Sequence, residues 1–405
     1  MSSTTSAPVT RGTTPRALNL ALAAWVFAIT FWAWNLIGPL AVRYAEDMGL
    51  SASQKALLIA TPVLVGALGR IPVGALTDRL GGRRMLSTLC FLSVVPVLLV
   101  MWAGSAGSYA LLLAFAFLLG VAGTSFAAGI PFVNAWYEPA RRGFATGVFG
   151  IGMGGTALSS FFTPRFVGWF GYVPAHLTVA AALAVTGVAV LLLARDAPAW
   201  RPNPESVLPK LRAASRLAVT WQMSFLYAVA FGGFVAFSTY LPTYLKDVYD
   251  FDLAGAGTRT AGFAIAAVVA RPLGGILSDR VHPKTIVLIS LGGAAVSAVL
   301  MALQPAPEVP AGLVSISMAF FLGLGSGGVF AWVARRVPAD RVGAVTGVVG
   351  AAGGLGGYFP PLVMGATYDA EAQSYTVGLT LLVATALVAF AFTLWRLPRE
   401  ARQAP

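Results

Sequence analysis

The stretch R-I-P-V-G-A-L-T-D-R at residues 70–79 returns at residues 271–280 as R-P-L-G-G-I-L-S-D-R, with Arg, Gly, Leu, Asp and Arg in register. A second pair repeats at almost the same offset: R-R-G-F-A-T-G-V-F-G from Arg141 and R-V-G-A-V-T-G-V-V-G from Arg341. Two registers this close make the chain a duplication of two halves.

Outward from these motifs the sequence is mostly apolar. Of 405 residues 57% are hydrophobic and 10% charged, which is outside the range of soluble domains and indicates an integral membrane protein. Twelve apolar stretches are each long enough to cross a hydrocarbon core as a helix. They lie near 17–42, 54–77, 84–103, 107–136, 142–164 and 172–194, then 217–245, 258–279, 284–303, 311–334, 342–367 and 375–396. The expected fold is an all-α membrane protein of twelve transmembrane segments in two six-helix pseudo-symmetric halves, 17–194 and 217–396. Residues 195–216, rich in proline and basic residues, read as the linker, and 1–16 and 397–405 as tails.

The formal net charge of +12 is spread over short loops, not gathered into a patch, so nucleic acid is not an expected partner. Most arginines and lysines fall on the side of the linker, and only Arg43, Lys55, Arg165, Lys246 and Arg259 fall on the other. Positive residues stay inside, which puts both termini and the linker in the cytoplasm of a multi-pass inner-membrane protein. Cys90 is the only cysteine, so neither an intrachain disulfide nor a thiolate metal cluster is expected. The first apolar run is too long for a signal-peptide core and reads as a retained helix. Two histidines, one cysteine and no acid in an apolar core leave little for catalysis, metal or cofactor, so no enzyme is expected.

Parallel repeats suit a transporter whose midplane site lies between the halves. Arg70 and Arg271 interrupt apolar runs, at a cost of roughly 2.5 to 3.5 kcal/mol each near the bilayer centre. Each precedes its Asp, Asp78 or Asp279, by about 12 Å of helix, so the pair should face one cavity at mid-depth. Every Asp and Glu flanks an apolar run and none interrupts one. The counterion is therefore expected to be an anion from outside the protein, and a guanidinium fork matches a planar oxyanion. The alternative is that the arginines satisfy carbonyls freed by Pro72 and Pro272. Gly147, Gly150, Gly152, Gly154 and Gly155 in segment 5, with Gly347, Gly350, Gly353, Gly354, Gly356 and Gly357 in segment 11, provide small faces for close packing, for gating, or for both.

The run G-A-L-T-D-R-L-G-G-R-R from Gly74 resembles the loop signature of the major facilitator superfamily, with a fainter copy after Gly275. The resemblance implies a cytoplasmic latch. Gly74 and Asp78, the latter bonding a helix end, would act with Arg79, Arg83 and Arg84, and Asp279 and Arg280 would repeat the device. F-A-A-G-I-P-F-V-N-A-W-Y-E-P-A-R-R-G-F-A-T-G-V-F-G-I-G-M-G-G-T-A from Phe126 and G-A-V-T-G-V-V-G-A-A-G-G-L-G-G-Y-F-P-P from Gly343 resemble the paired glycine signatures of the nitrate/nitrite porter family. One departure is Met153, where the family commonly has Asn. The resemblance implies a monomeric carrier of nitrate and nitrite, with Phe31, Phe126, Tyr227 and Phe231 lining the pocket beside Arg70 and Arg271, and Tyr227 offering its hydroxyl.

Two guanidiniums about 8 Å apart repel by roughly 2 kcal/mol at an effective dielectric near 20. If an anion relieves this, reorientation is fast only when loaded, which favours nitrate/nitrite exchange. Proton-coupled symport and exchange of another small anion, such as a small carboxylate, are the alternatives.

Overall fold

The computed structural model describes residues 13–138, 141–198, 200–202, 207–307, 309–337 and 341–397; most of both expected tails, 1–12 and 398–405, lies outside the described residues. Apart from one antiparallel bridge between Asp369 and Ser374, the regular structure among the described residues is helical. Segment 1 is α1 (Thr13–Trp34) and α2 (Ile37–Met48), and segment 2 is α3 (Ala52–Leu68) and α4 (Arg70–Leu80). Segment 3 is α5 (Gly82–Ser105). Segment 4 is α6 (Tyr109–Leu119) and α7 (Ser125–Ala135), joined by a 3₁₀ turn. In segment 5 a similar turn, Ile151–Gly154, joins α8 (Arg142–Gly150) to α9 (Gly155–Phe170), and α10 (Tyr172–Leu193) closes the first half. After α11 (Val207–Ser215) in the linker come α12 (Ala218–Tyr249), α13 (Leu253–Arg280), α14 (Pro283–Ala302) and α15 (Val309–Arg336). Segment 11 is α16 (Val342–Gly356) and α17 (Phe359–Ala366), and α18 (Thr376–Arg396) is the last.

Two boundaries differ from expectation. The first helix starts at Thr13, inside the expected tail, because its early turns are anchored: the Asn19 amide donates to the Pro15 carbonyl at 2.6 Å, and Arg16 lies over the Tyr137 ring at 5.4 Å. The linker holds a nine-residue helix, α11, whose length allows two turns despite Pro209 near its start.

Eleven helical stretches among the described residues are long and apolar enough to cross a membrane. The remaining segment, 142–170, is diluted by Gly, Ser and Thr, which suits a helix packed against protein instead of lipid. Ends are fixed by local chemistry. Ser51 and Gln54 form a reciprocal capping box on α3, and the Asp252 carboxylate caps α13.

Packing repeats between the halves. Segment 3 lies on 6 as 9 lies on 12, and 1 lies on 5 as 7 lies on 11. Across the halves, α9 packs on α13, and α3 packs on α16 and α17. At the end remote from the linker this seam is tight: a Cβ on Gly38, Gly257 or Gly365 would lie 2.6, 2.2 and 2.3 Å from the Thr239 carbonyl, the Ser160 carbonyl and Ala56. At the linker end the halves part around a cavity.

Candidate substrate site

Pro72 has no N–H to give the carbonyl one turn back, so segment 2 breaks at Gly69 and Arg70 opens the next helix. Its side chain is buried, 7% exposed, and crosses to the other half, where Nη1 donates to the Gly350 carbonyl at 2.9 Å. Its Nε is buried without a partner. Arg271, half-buried within α13, donates from Nη2 to the Tyr227 hydroxyl at 3.0 Å and from Nη1 to the Met153 Sδ at 3.0 Å, again reaching the opposite half. None of these partners is a carbonyl freed by Pro72 or Pro272. Among the described residues neither guanidinium pairs with a carboxylate.

The two cations share two rings. The Phe126 centroid is 5.2 Å from the Arg70 guanidinium carbon and 6.0 Å from that of Arg271; for Phe231 the distances are 5.8 and 5.4 Å. One ring comes from each half. Such contacts offset desolvation of a cation by about 0.5 to 2 kcal/mol each. Tyr227 stacks on Phe231 at 4.9 Å with planes 1° apart, and Phe330 meets Tyr227 edge-on at 4.5 Å. Phe330 also lies 5.5 Å from the Arg271 guanidinium. A cavity of about 650 Å³ leads from Arg70, Phe126 and Gly350 past Asn134 and Asp78 to Lys210 of α11. At the inner end of this cavity, which Arg70 and Phe126 line, the geometry brings together guanidinium N–H donors, a phenol and aromatic faces, while Asp78, Asn134, Lys210 and Arg341 make the path toward the linker polar.

Of the residues expected to line the pocket, Arg70, Arg271, Phe126, Tyr227 and Phe231 come together. Phe31 does not. It is fully buried against Phe27 and Trp34, at 4.4 and 4.9 Å, and neither guanidinium lies over its ring. It backs Phe27, which in turn contacts Phe126 at 5.6 Å. Asn35 donates to the Thr156 carbonyl at 3.3 Å and Asn134 accepts from Thr146 at 3.0 Å, both tying segment 5 to a neighbour.

Phe330 was not read from the sequence, because the face of α15 that carries it is marked only in the fold. Gly327, where a Cβ would lie 2.0 Å from the Arg271 carbonyl, marks the face of α15 that meets α13, and Phe330 follows three residues later on that face.

In the expected latch, Asp78 lines the cavity and interacts with the charge of Lys210; the helix-end bond is made instead by Asp196, which accepts from the Arg83 backbone N–H at 3.0 Å. Gly81, whose φ of +89° suits glycine, leaves the room that the Asp196 carboxylate fills. The Arg83 guanidinium donates to the Leu191 carbonyl. Arg79, Arg84, Asp279 and Arg280 are exposed, and Gly74 faces the cavity.

Comparison with known proteins agrees with this architecture. A sequence model of the Major Facilitator Superfamily matches residues 23–361 and again 260–405. The protein named "Probable nitrate/nitrite transporter NarK2" of Mycobacterium tuberculosis (strain ATCC 25618 / H37Rv) is 64% identical over 93% of this chain and 96% of its own length. The "Nitrite extrusion protein" of Bacillus subtilis (strain 168) is 34% identical over 93% and 94% of the two chains. The "Probable nitrate/nitrite antiporter NarK1" of Thermus thermophilus is also 34% identical, over 92% and 89%. A solved structure of a bacterial homolog of the human lysosomal transporter Spinster has the same fold, with a TM-score of 0.73, 18% identity and coverage of 94% and 96%. The chain thus belongs to the nitrate/nitrite porter family of the major facilitator superfamily.

Proposed function

We propose that the protein carries nitrate and nitrite across the cytoplasmic membrane by alternating access, exchanging one for the other, as a monomer with linker and termini in the cytoplasm. The observation that carries this reading is the pair of guanidiniums, one from each half, sharing Phe126 and Phe231 with no carboxylate partner among the described residues. Planar, monovalent, weakly hydrated anions fit such a place, whereas sulfate or phosphate would lose far more hydration. The names of the relatives support the same substrates. Two cations that an anion must neutralise also give a physical reason for exchange, since an empty site resists closure. The loop from Gly74 to Arg84 acts as the cytoplasmic latch, with Asp196 as its carboxylate.

The test is nitrate uptake into proteoliposomes preloaded with nitrite, chloride or buffer. Uptake that needs internal nitrite supports exchange. Uptake driven by a pH gradient with no anion inside overturns it in favour of symport, and strong competition by formate or oxalate points to a carboxylate exchanger. Tyr227→Phe removes the hydroxyl that accepts from Arg271 and leaves a half-buried donor without that partner. At about 1 to 3 kcal/mol for such a group the thermal midpoint should fall by a few degrees, and with the phenol no longer offered to the anion half-saturating nitrate should rise roughly tenfold in counterflow assays.

A further inference from the structure

At the end of the molecule remote from the linker, Lys55 of α3 crosses to the other half. Its Nζ donates to both carboxylate oxygens of Asp247 on α12, at 3.0 and 2.8 Å. The two side chains are 9% and 12% exposed. Tyr375, at the start of α18, donates its hydroxyl to the same carboxylate and accepts from Tyr240 of α12 at 3.2 Å. Among the described residues this is the salt bridge that joins the halves, since the other two link residues four apart on one helix.

Among the described residues, the other side-chain bonds across this seam are neutral or exposed at one partner: the Arg165 guanidinium donates to the Thr258 hydroxyl at 2.7 Å in an exposed position, and Ser53 donates to the Gly365 carbonyl at 3.4 Å. Gly38 lies against the Thr239 carbonyl and Gly365 against Ala56, contacts of backbone and small side chains that separate at little cost. An ion pair this dry is different: parting it exposes two charges that were each other's partner, and removing one leaves the other buried and unpaired. The helix α3 begins at this bridge and ends at Leu68, so the same segment leads from the bridge to the break that precedes Arg70.

We propose that Lys55 and Asp247, held in register by Tyr375, are the lock that keeps this face closed while the cavity is open at the linker face, and that parting this pair is required for the opposite opening. This deepens the alternating-access reading and assigns gate residues within it.

The test reads conformation without reference to any transported ion. Thr243 is fully buried, lies one turn before Asp247 on α12, and its hydroxyl has no partner. Thr239, Thr243 and Asp247 form one stripe facing the first half. With Cys90→Ser removing the single native thiol, Thr243→Cys is placed in lipid nanodiscs, where both faces meet a water-soluble maleimide. The parent lock should protect this thiol. Lys55→Gln should raise its labelling rate about tenfold or more, as should the double variant Lys55→Gln/Asp247→Asn, which leaves no buried charge unpaired and so guards against misfolding. The charge swap Lys55→Asp/Asp247→Lys should bring the rate back toward the parent value.

Equal labelling in the parent and the double variant overturns the lock. So does a swap that labels as fast as the single variant. Changed labelling in a protein that moves neither nitrate nor nitrite keeps the lock and rejects the substrate reading.

Discussion

Arg271→Lys is expected to cut nitrate–nitrite exchange by about 100-fold or more, in a protein that keeps its fold and its charge. Arg271 spans two partners with separate nitrogens, Tyr227 in its own half and Met153 in the other. A lysine ammonium offers donors from a single point and cannot hold both directions while presenting a planar face to an oxyanion. Each charge-assisted bond is worth about 1.5 to 3 kcal/mol, and tenfold corresponds to about 1.4 kcal/mol, so losing one or two gives the stated range. Arg70→Lys should be comparably damaging, because the same substitution loses the reach to the Gly350 carbonyl together with the flat contact on Phe126. Counterflow in proteoliposomes, with thermal midpoint and gel-filtration profile as controls, measures both. Flux within twofold of the parent in either variant would make that arginine structural and move the anion site elsewhere.

Gly353→Ala should lower exchange by at least about tenfold, through shape alone. A Cβ there would lie 2.2 and 2.4 Å from two carbons of the Tyr227 ring and 3.1 Å from Phe231. The ring has little freedom to retreat: Phe231 stacks on it, Phe330 closes its edge and Arg271 holds its hydroxyl. Overpacking of this kind costs about 1 to 3 kcal/mol, so the thermal midpoint should fall by several degrees as well. The control is Gly350→Ala, three residues earlier on the same helix, where the added carbon meets only Phe126 at an ordinary 3.9 Å. If the glycines of α16 act through close packing, Gly353→Ala is impaired and Gly350→Ala is not. Equal loss in both would indicate that backbone bending matters more than room for Tyr227.

Much of this was readable in the chain. The repeated R…G…L…D-R motif pointed to two arginines that meet, and in the fold both guanidiniums reach Phe126 and Phe231, since eight residues of helix from each Asp is a length, and lengths survive folding. Because no acid interrupts an apolar run, the counterion of the guanidiniums was expected to come from outside the protein. What failed were questions of direction around a helix. Phe31 is aromatic and lies in the right segment, yet it points at Trp34, because nothing in a uniformly apolar run marks which face meets the cavity. Phe330 was missed for the same reason. Asp78 was assigned a bond that Asp196 makes, since a carboxylate 118 positions further along the chain approaches through packing that no local pattern encodes. Lys55 and Asp247 read only as charges flanking separate apolar runs. Only the fold brings them together.

Duplication supplied two equivalent arginines, and their surroundings made them unequal. Arg70 lines the open cavity with its Nε uncommitted, while both terminal nitrogens of Arg271 are already engaged. On the reading proposed above, an anion entering from the linker face meets Arg70 first, while each terminal nitrogen of Arg271 keeps a second N–H beside its bond to Tyr227 or Met153. On that reading the pair works as a receiver and a reserve, and a molecule with twofold ancestry takes up its cargo asymmetrically.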